Sequence, residues 1–272
     1  MKKLLILMLL IALSCTAAYA EVIGNLSKLN ATEAQFEEAT FKNKHRANIL
    51  SILLAEGIKR GDSTIRFYNS FSQMQMALSK GEIDSIGVSE FTGEYMLRNS
   101  DEYTLRGVFI FKTPIALAFG MMKEKSELRD KISSAIRELE ADGKIGILGR
   151  DFITGPYADN PPAVKIDHFD GAETINLAVT GDVPPLDYIA ADGTPSGFNT
   201  AILAEIGRKL HMNINLVNIE TAARASALAS GRVDVVFWVM IYGQAKAMDV
   251  PEGMILSEPY FVYNKAYLIG KK

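Results

Sequence analysis

The sequence predicts an α/β protein with two lobes and mainly parallel central sheets. Short strand-like segments alternate with helical stripes of 10–15 residues along most of the 272 residues, which is typical of βαβ units. In addition, "ALSKGEID" at 77–84 and "ALASGRVD" at 227–234 share Ala-Leu, two spacers, Gly, a charged residue, a β-branched residue and Asp. Either one good helix-to-strand turn has been used twice by chance, or the chain contains two lobes of similar build.

The first half of the chain contains one series of alternating elements. Residues 21–42 have no clear period apart from the strand-like "QFEEATF". There follow, in order, a helical stripe at 45–56, a strand "TIRFY", a helix at 70–78, a buried strand "IDSIGV", a short helix "EFTGEYMLRN" and the strands "YTLRGVFI" and "PIALAFGMM". Ser126 can cap the next helix, which Gly143 closes, and "KIGILGRDFI" is a last short helix.

A linker separates this series from a second one. Residues 155–172, "GPYADNPPAVKIDHFDGA", carry three prolines and no hydrophobic period. The second series comprises a strand "TINLAV", a turn-rich loop, a helix at 198–210, a strand "NINLVNI", a helix "AARASALAS" and a buried strand "VDVVFWVM". Each copy of the repeated octapeptide therefore stands between a helix and the inner strand of its series.

The first 20 residues have the pattern of a secretory signal peptide. Lys2 and Lys3 precede the short apolar run "LLILMLLIAL", and "AYA" before Glu21 is an A-x-A cleavage site. The apolar run is too short to span a bilayer as a helix. Lipidation at Cys15 is the alternative, but the preceding "ALS" is a poor lipobox. We therefore expect cleavage after Ala20 and a location in the periplasm.

Composition limits the classes of function. Cleavage removes the one cysteine, so the mature chain cannot form a disulfide or a thiolate metal site. Removing Lys2 and Lys3 from the 29 basic residues leaves 27 against 32 acidic ones, and a mildly acidic chain without a basic cluster argues against nucleic acid as a partner. No second apolar run reaches spanning length, so we expect a soluble, monomeric mature protein.

No catalytic signature is recognisable in the sequence. It lacks the G-x-S-x-G, G-x-G-x-x-G, P-loop and H-E-x-x-H patterns. His45, His168 and His211 stand in unrelated contexts without metal-ligand spacing, and paired acids such as Glu37 and Glu38 indicate a solvated face. We predict that the protein is not an enzyme and that it has no catalytic residues, no metal and no cofactor.

The second series also carries a more specific pattern. Pro185 and Leu186 lie in a turn-rich loop, Asp192-Gly193 and Gly197-Phe198-Asn199 lead into a helix, and Gly231 to Asp234 lead into the inner strand. These residues resemble the "Y-x-P-F", "D-G-x-x-x-G-F-D" and "L-x-x-G-x-[VI]-D" motifs of bacterial extracellular solute-binding proteins, family 3. The final "LSEPYFVYNKAYLIGKK" resembles the next element of that family. The resemblance implies the type II periplasmic-binding fold, with a ligand held between two lobes.

The order of the elements differs from that family. Residues 64–152 resemble its second lobe and its C-terminal end, yet they precede the part that resembles its first lobe. The chain is therefore expected to be circularly permuted, with 155–172 joining the former ends; a truncated tandem array is the alternative. By resemblance, 21–113 form one lobe and 114–272 the other. A single strand near 112–116 is expected to connect them.

The resemblance also indicates where a ligand would bind, and most of these positions depart from the family. Its arginine for the ligand carboxylate corresponds to Lys246, and its aspartate for the ammonium group corresponds to Ser89, beside Glu90. Its aromatic and hydroxyl positions correspond to Thr180, Val183, Thr221, Trp238 and Ile241. Trp238, the only tryptophan, comes at the end of an inner strand, where ligands bind in α/β sheets, although it could equally fill the core.

We therefore expect a periplasmic protein that captures a small polar molecule, amino-acid-like or another organic solute, for an ABC-type transporter. The first alternative is a degenerate relative that serves as a sensory or protein-interaction module. The second is a periplasmic lyase or dehydratase, because this fold also hosts a few enzymes. The expected partners are a small-molecule ligand and a membrane permease or sensor protein.

Overall fold

The computed structural model describes residues 22–26, 39–40, 64–155, 162–242 and 252–272. The helices are α1 Phe71–Ser79, α2 Glu90–Asn99, α3 Ser126–Ala141, α4 Lys144–Gly149, α5 Phe198–Leu210 and α6 Arg224–Ala229. The strands are β1 Val22–Leu26, β2 Ala39–Thr40, β3 Thr64–Tyr68, β4 Ser85–Ser89, β5 Tyr103–Met122, β6 Thr174–Val179, β7 Asp182–Val183, β8 Asp187–Ile189, β9 Pro195–Ser196, β10 Asn213–Asn218, β11 Val235–Tyr242, β12 Met254–Leu256 and β13 Phe261–Lys271. The signal sequence and the predicted helix at 45–56 lie outside the described residues.

The strands form a large sheet in the order β10-β6-β11-β5-β13-β4-β1-β3-β2, with β12 on β5, and a small sheet β7-β8-β9. Each half of the large sheet has a parallel set of three inner strands, namely β10-β6-β11 and β3-β1-β4. The long strands β5 and β13 run antiparallel to their neighbours between the two sets. The predicted α/β class with parallel inner strands is confirmed.

The two copies of the repeated octapeptide fold in the same way. Gly81 and Gly231 have φ of +73° and +72°, the left-handed conformation that glycine adopts without a steric cost, and their amides donate to the carbonyls of Leu78 and Leu228. After each turn an aspartate holds the neighbouring strand. The amide of Val22 donates to Asp84 Oδ2 at 2.7 Å, and the amide of Asn176 donates to Asp234 Oδ2 at 2.9 Å.

The segments predicted as two strands, "YTLRGVFI" and "PIALAFGMM", form the single 20-residue strand β5. Pro114, which lies between the two segments, cannot donate a ladder hydrogen bond. In the structure it stands where β5 changes its register with β13, between the pairs Ile110–Lys265 and Ile115–Tyr263, so no ladder bond is required of it.

The expectation of a single connecting strand is wrong. β13 pairs through Phe261 to Tyr263 with the second part of β5, and through 265–271 with β4 and the first part of β5. Both β5 and β13 therefore run from one parallel set to the other. Two continuous strands joined by a ladder resist bending more than one strand does.

The helices pack on the sheet through their predicted apolar faces. Phe71, Met74 and Leu78 of α1, and Ile132, Ile136 and Leu139 of α3, are buried in the main core. Ser70 caps α1 by accepting from the amide of Gln73. Ser126 does not cap α3 as predicted, because a 3₁₀ turn at Lys123–Lys125 precedes the helix and puts Ser126 in its first turn.

The described second part of the predicted linker has no regular secondary structure but is attached to β10. The Asn213 side chain accepts from the amide of Phe169 at 2.8 Å, and it donates to the carbonyls of Phe169 and Ala172. The segment that precedes β6 is thereby fixed at the amino end of the sheet.

Candidate ligand-binding cleft

The loop after β6 lies at the carboxyl ends of one parallel strand set and is held by hydrogen bonds of its own residues. Ligands of parallel α/β sheets bind at these ends. Asp187, which is 2% exposed, accepts hydrogen bonds from the Thr180 amide and hydroxyl at 2.9 and 2.6 Å and from the Gly181 amide at 2.8 Å. Burial raises the pKa of the Asp187 carboxyl, and the donors of Thr180 and Gly181 oppose that shift. The carboxylate holds the loop closed on itself.

The same loop reaches the other parallel set of strands. Asp182 Oδ2 accepts from the amide of Ser72, in the first turn of α1, at 2.9 Å. The rings of Tyr188 in β8 and Tyr95 in α2 are 6.4 Å apart. Because α1 follows β3 and the loop follows β6, the carboxyl edges of the two parallel sets meet here.

Several buried polar atoms at these edges have no hydrogen-bond partner within the described part of the chain. They are Asn69 Oδ1, Asp182 Oδ1, Thr221 Oγ1 and both amide atoms of Asn199. Asn69 directly follows β3, and Thr221 closely follows β10. Asn199 opens α5, whose first amides donate to the carbonyls of Pro185 and Leu186. Buried polar atoms are nearly always paired, so such a group points to a missing partner such as a ligand.

The predicted residues Thr180, Val183 and Thr221 follow the carboxyl ends of the paired strands β6 and β10. Asn218 pairs with Val179 in register, and its side chain donates to the Thr180 carbonyl at 3.3 Å. The Thr180 hydroxyl is used by Asp187, and Val183 is buried in the core at 4% exposure. Thr221 is 1% exposed with its hydroxyl oxygen unpaired, and so it is the one of the three that has free bonding capacity.

Ser89 and Glu90 lie on the opposite side, where β4 passes into α2. The Ser89 hydroxyl donates to Thr92 Oγ1 at 3.1 Å, and Glu90 forms an ion pair with Lys265 of β13 at 3.1 Å. Glu90 raises the pKa of the Lys265 ammonium through that bond. Both predicted residues are thus engaged within their own half of the sheet.

The remaining predicted residues follow the inner strand β11. Trp238 lies in the strand, within the register shift between Val236 and Val239, and Ile241 pairs with Ala116 of β5 and is half-buried. Lys246 lies outside the described residues. Arg224 is buried and donates to the carbonyls of Thr221 and Phe237, at 3.4 and 2.7 Å, which ties the start of α6 to β11.

The sequence reasoning missed Asn69, Asp182 and Asn199. Each stands one to three residues from the carboxyl end of a strand or at the start of a helix, and this position could have been recognised. They were missed because they occupy positions for which the family resemblance assigns no ligand contact.

Two open grooves lie elsewhere. One, of about 620 Å³, is at the amino ends of β6 and β11, where Lys125 and Asp234 pair at 2.9 Å. The other, of about 420 Å³, runs between α4 and the start of β13. Within the described ranges no group of three or more His, Cys, Asp or Glu residues could hold a metal ion. None of the described helices is long and apolar enough to cross a bilayer.

Residues 175–272 match the family model of bacterial extracellular solute-binding proteins, family 3. Three solved structures are similar over most of the chain. A periplasmic binding protein of an ABC transporter from Brucella ovis with glutathione bound is 12% identical, with a TM-score of 0.45, covering 94% of this chain and 63% of that one. The ligand-binding component of an ABC-type import system from Staphylococcus aureus, with zinc bound, is 10% identical, with a TM-score of 0.43, covering 93% and 66%.

The third is the binding protein AgaA from A. tumefaciens R10 in complex with agropinic acid, which is 12% identical, with a TM-score of 0.39, covering 77% of this chain and 55% of that one. The chain thus spans less than two thirds of the length of all three. The motifs of the loop after β6, of α5 and of the second octapeptide all fall in the matched segment. The match to this family model thus covers residues 175–272.

Proposed function

We propose that this protein binds a small polar solute in the cleft between its two parallel strand sets, in the periplasm, and presents it to an ABC-type membrane transporter. The observation that carries the proposal is the group of buried, unpaired polar atoms where the two carboxyl edges meet. Leaving such atoms unpaired costs about 1–3 kcal/mol each, and a bound solute with matching groups would recover that cost. The match of residues 175–272 to a family model of solute-binding proteins supports a binding role.

Two contacts join the opposite sides of the cleft and so favour its closed form. Asp182 and Tyr188 belong to the loop after β6, whereas Ser72 and Tyr95 belong to helices of the other set. A solute that touches both sides favours the closed arrangement, because it binds that arrangement more tightly than an open one. The solute thereby increases the population of the closed form, and a transporter can recognise that form by its shape.

We also infer that the element order is a circular permutation of the family's order. Ser85 of β4 pairs with Ile23 of β1 on one side and with Gly270 of β13 on the other. Two strand spacings separate these neighbours, about 10 Å. A short connection from the end of β13 to the start of β1 would therefore restore the order of the family without moving a strand.

The direct test is a native mass measurement of protein purified from its host, followed by thermal unfolding in a metabolite library. We expect a solute to co-purify with the protein, or a compound of the library to raise its Tm. Thr221→Val should weaken its binding about 10-fold, the equivalent of one lost hydrogen bond. Thr174→Val, at the exposed amino end of β6, is the matched control and should bind normally.

If no solute co-purifies and no library compound binds, the proposal is contradicted. Capture of a specific protein partner under those conditions would favour the sensory or interaction module instead. Turnover of a solute that is lost in Glu90→Gln would favour an enzyme.

A further inference from the structure

The first turn of α1 is already supplied with an anion by the protein itself. The amide of Ser72 donates to Asp182 Oδ2 at 2.9 Å, the amide of Gln73 donates to Ser70 Oγ at 3.2 Å, and the amide of Met74 donates to the Ser70 carbonyl at 3.3 Å. Free amides at a helix start attract anions, since their dipoles point at the ligand. Here Asp182 fills that place from the opposite side of the cleft.

Two positively charged side chains of the described residues near these edges are also engaged. Arg224 donates to two main-chain carbonyls, and Lys265 pairs with Glu90. Neither offers the fork or the ammonium group that a solute carboxylate needs. Among the described residues, the atoms left unpaired are Asn69 Oδ1, Asp182 Oδ1, the Thr221 hydroxyl oxygen and both amide atoms of Asn199, and only Asp182 carries a charge.

We propose that Asp182 is a built-in anion of the cleft, and that the cleft therefore selects a solute with hydrogen-bond donors, of the amine or ammonium class, over one with a carboxylate. This inference rests on the proposed function, and it concerns which chemical group of the solute faces α1. A carboxylate oxygen accepts only, so the buried Asp182 Oδ1 needs a donor, and an ammonium group supplies up to three. A solute carboxylate in the same place would meet the charge of Asp182 and find no free amide in residues 72–74.

The first test needs no solute. Asp182→Ala removes the anion and should lower the Tm by about 4 °C, since a charge-assisted hydrogen bond is lost. Sodium formate at 50 mM should restore at least half of that loss, by entering the vacated place, whereas sodium chloride at about the same ionic strength should not. Asp170→Ala, in an exposed loop, is the control and should show no response to formate. An Asp182→Ala protein that keeps its Tm, or ignores formate, overturns the inference.

The second test uses two probes of one length and opposite charge, 1,4-diaminobutane and succinate. Diaminobutane should raise the Tm of the native protein, and succinate should not. In Asp182→Asn, which keeps the shape of the side chain, the effect of diaminobutane should fall at least 5-fold. Binding of succinate in preference to diaminobutane overturns the inference and leaves the proposed function intact.

The remaining outcomes separate the two proposals. If neither probe binds but a co-purified solute without an amine is found, the inference is overturned and the function stands. If formate rescues Asp182→Ala and diaminobutane binds, yet the protein from its host carries no solute and no library compound other than amines binds, the inference is supported. A total absence of solute binding, with or without formate rescue, overturns the function and the solute class together.

Discussion

Gly197 closes the loop after β6 against the start of α5. Its φ is +107°, and a Cβ added there would lie 2.5 Å from the Leu186 carbonyl oxygen, a main-chain atom that cannot give way. Gly197→Ala should lower the free energy of unfolding by about 2–4 kcal/mol, through backbone strain and overlap together. Gly193→Ala also has a positive φ but meets only open space, so it should cost about 1 kcal/mol. Equal losses in urea unfolding would show that the loop can move away from Gly197.

Asn199 is fully buried with both amide atoms unpaired. Asn199→Leu keeps a similar volume and removes the unpaired groups, so the free energy of unfolding without solute should rise by about 1 kcal/mol. Asn199→Asp would bury a charge in the same place and should lower it. If Asn199→Leu destabilises by more than 2 kcal/mol in urea unfolding, the amide has a structural partner and cannot belong to the solute site.

At the scale of elements, Asp234 ties β11 to β6 and to the turn before α3. Burial raises the pKa of its carboxyl, but the Lys125 ammonium and the donors of Asn176 lower it by more than burial raises it. The pKa of Asp234 in the folded protein therefore lies below 3.8. The unfolded chain therefore binds the proton more tightly. It follows that Asp234 stabilises the fold above the ordinary pKa, and that this contribution is lost as the pH falls through the lower folded value.

The replacement Asp234→Asn should cost about 1–2 kcal/mol at pH 7 and less at pH 3. The measurement is urea unfolding at both values of pH. Asp130→Asn is the control, because its exposed pair with the adjacent Arg129 adds little stability at either pH. A cost that is the same at pH 3 and pH 7 would mean that Asp234 acts as a neutral hydrogen-bond acceptor.

The elements with a clear period were predictable, and their long-range contacts were not. The stripe of Phe71, Met74 and Leu78, with Ser70 before it, is local and determines α1 by itself. The octapeptides likewise contain the whole of their turn. The bond between Asp182 and Ser72 joins residues 110 positions apart, and nothing in either local pattern indicates it. The continuity of β5 through Pro114 depends in the same way on where β13 changes register.

At the scale of the whole molecule, the sheet explains why the fold does not require one particular element order. β5 and β13 pair with each other along most of their length, so each parallel set is connected to the other twice. The cleft depends on those two strands and on the loop after β6. It does not depend on which connection joins the two series of elements.

A chain in the family's order should therefore fold to the same structure. It would run from residue 162 to 272, through a six-residue Gly/Ser linker, to residues 22–155. Six residues reach about 20 Å, twice the two strand spacings between Gly270 and Ile23. We expect its free energy of unfolding to lie within about 2 kcal/mol of that of the native order, because a change of the connection alone alters mainly loop entropy.

The matched control carries the same linker but opens between Ala204 and Glu205. That cut divides α5, whose Ile202, Leu203 and Ile206 are buried in the core, and so it should prevent folding. Circular dichroism and urea unfolding measure both chains. If the chain in the family's order also fails to fold, the fold needs the connection at 156–161. The present element order would then be required by the structure.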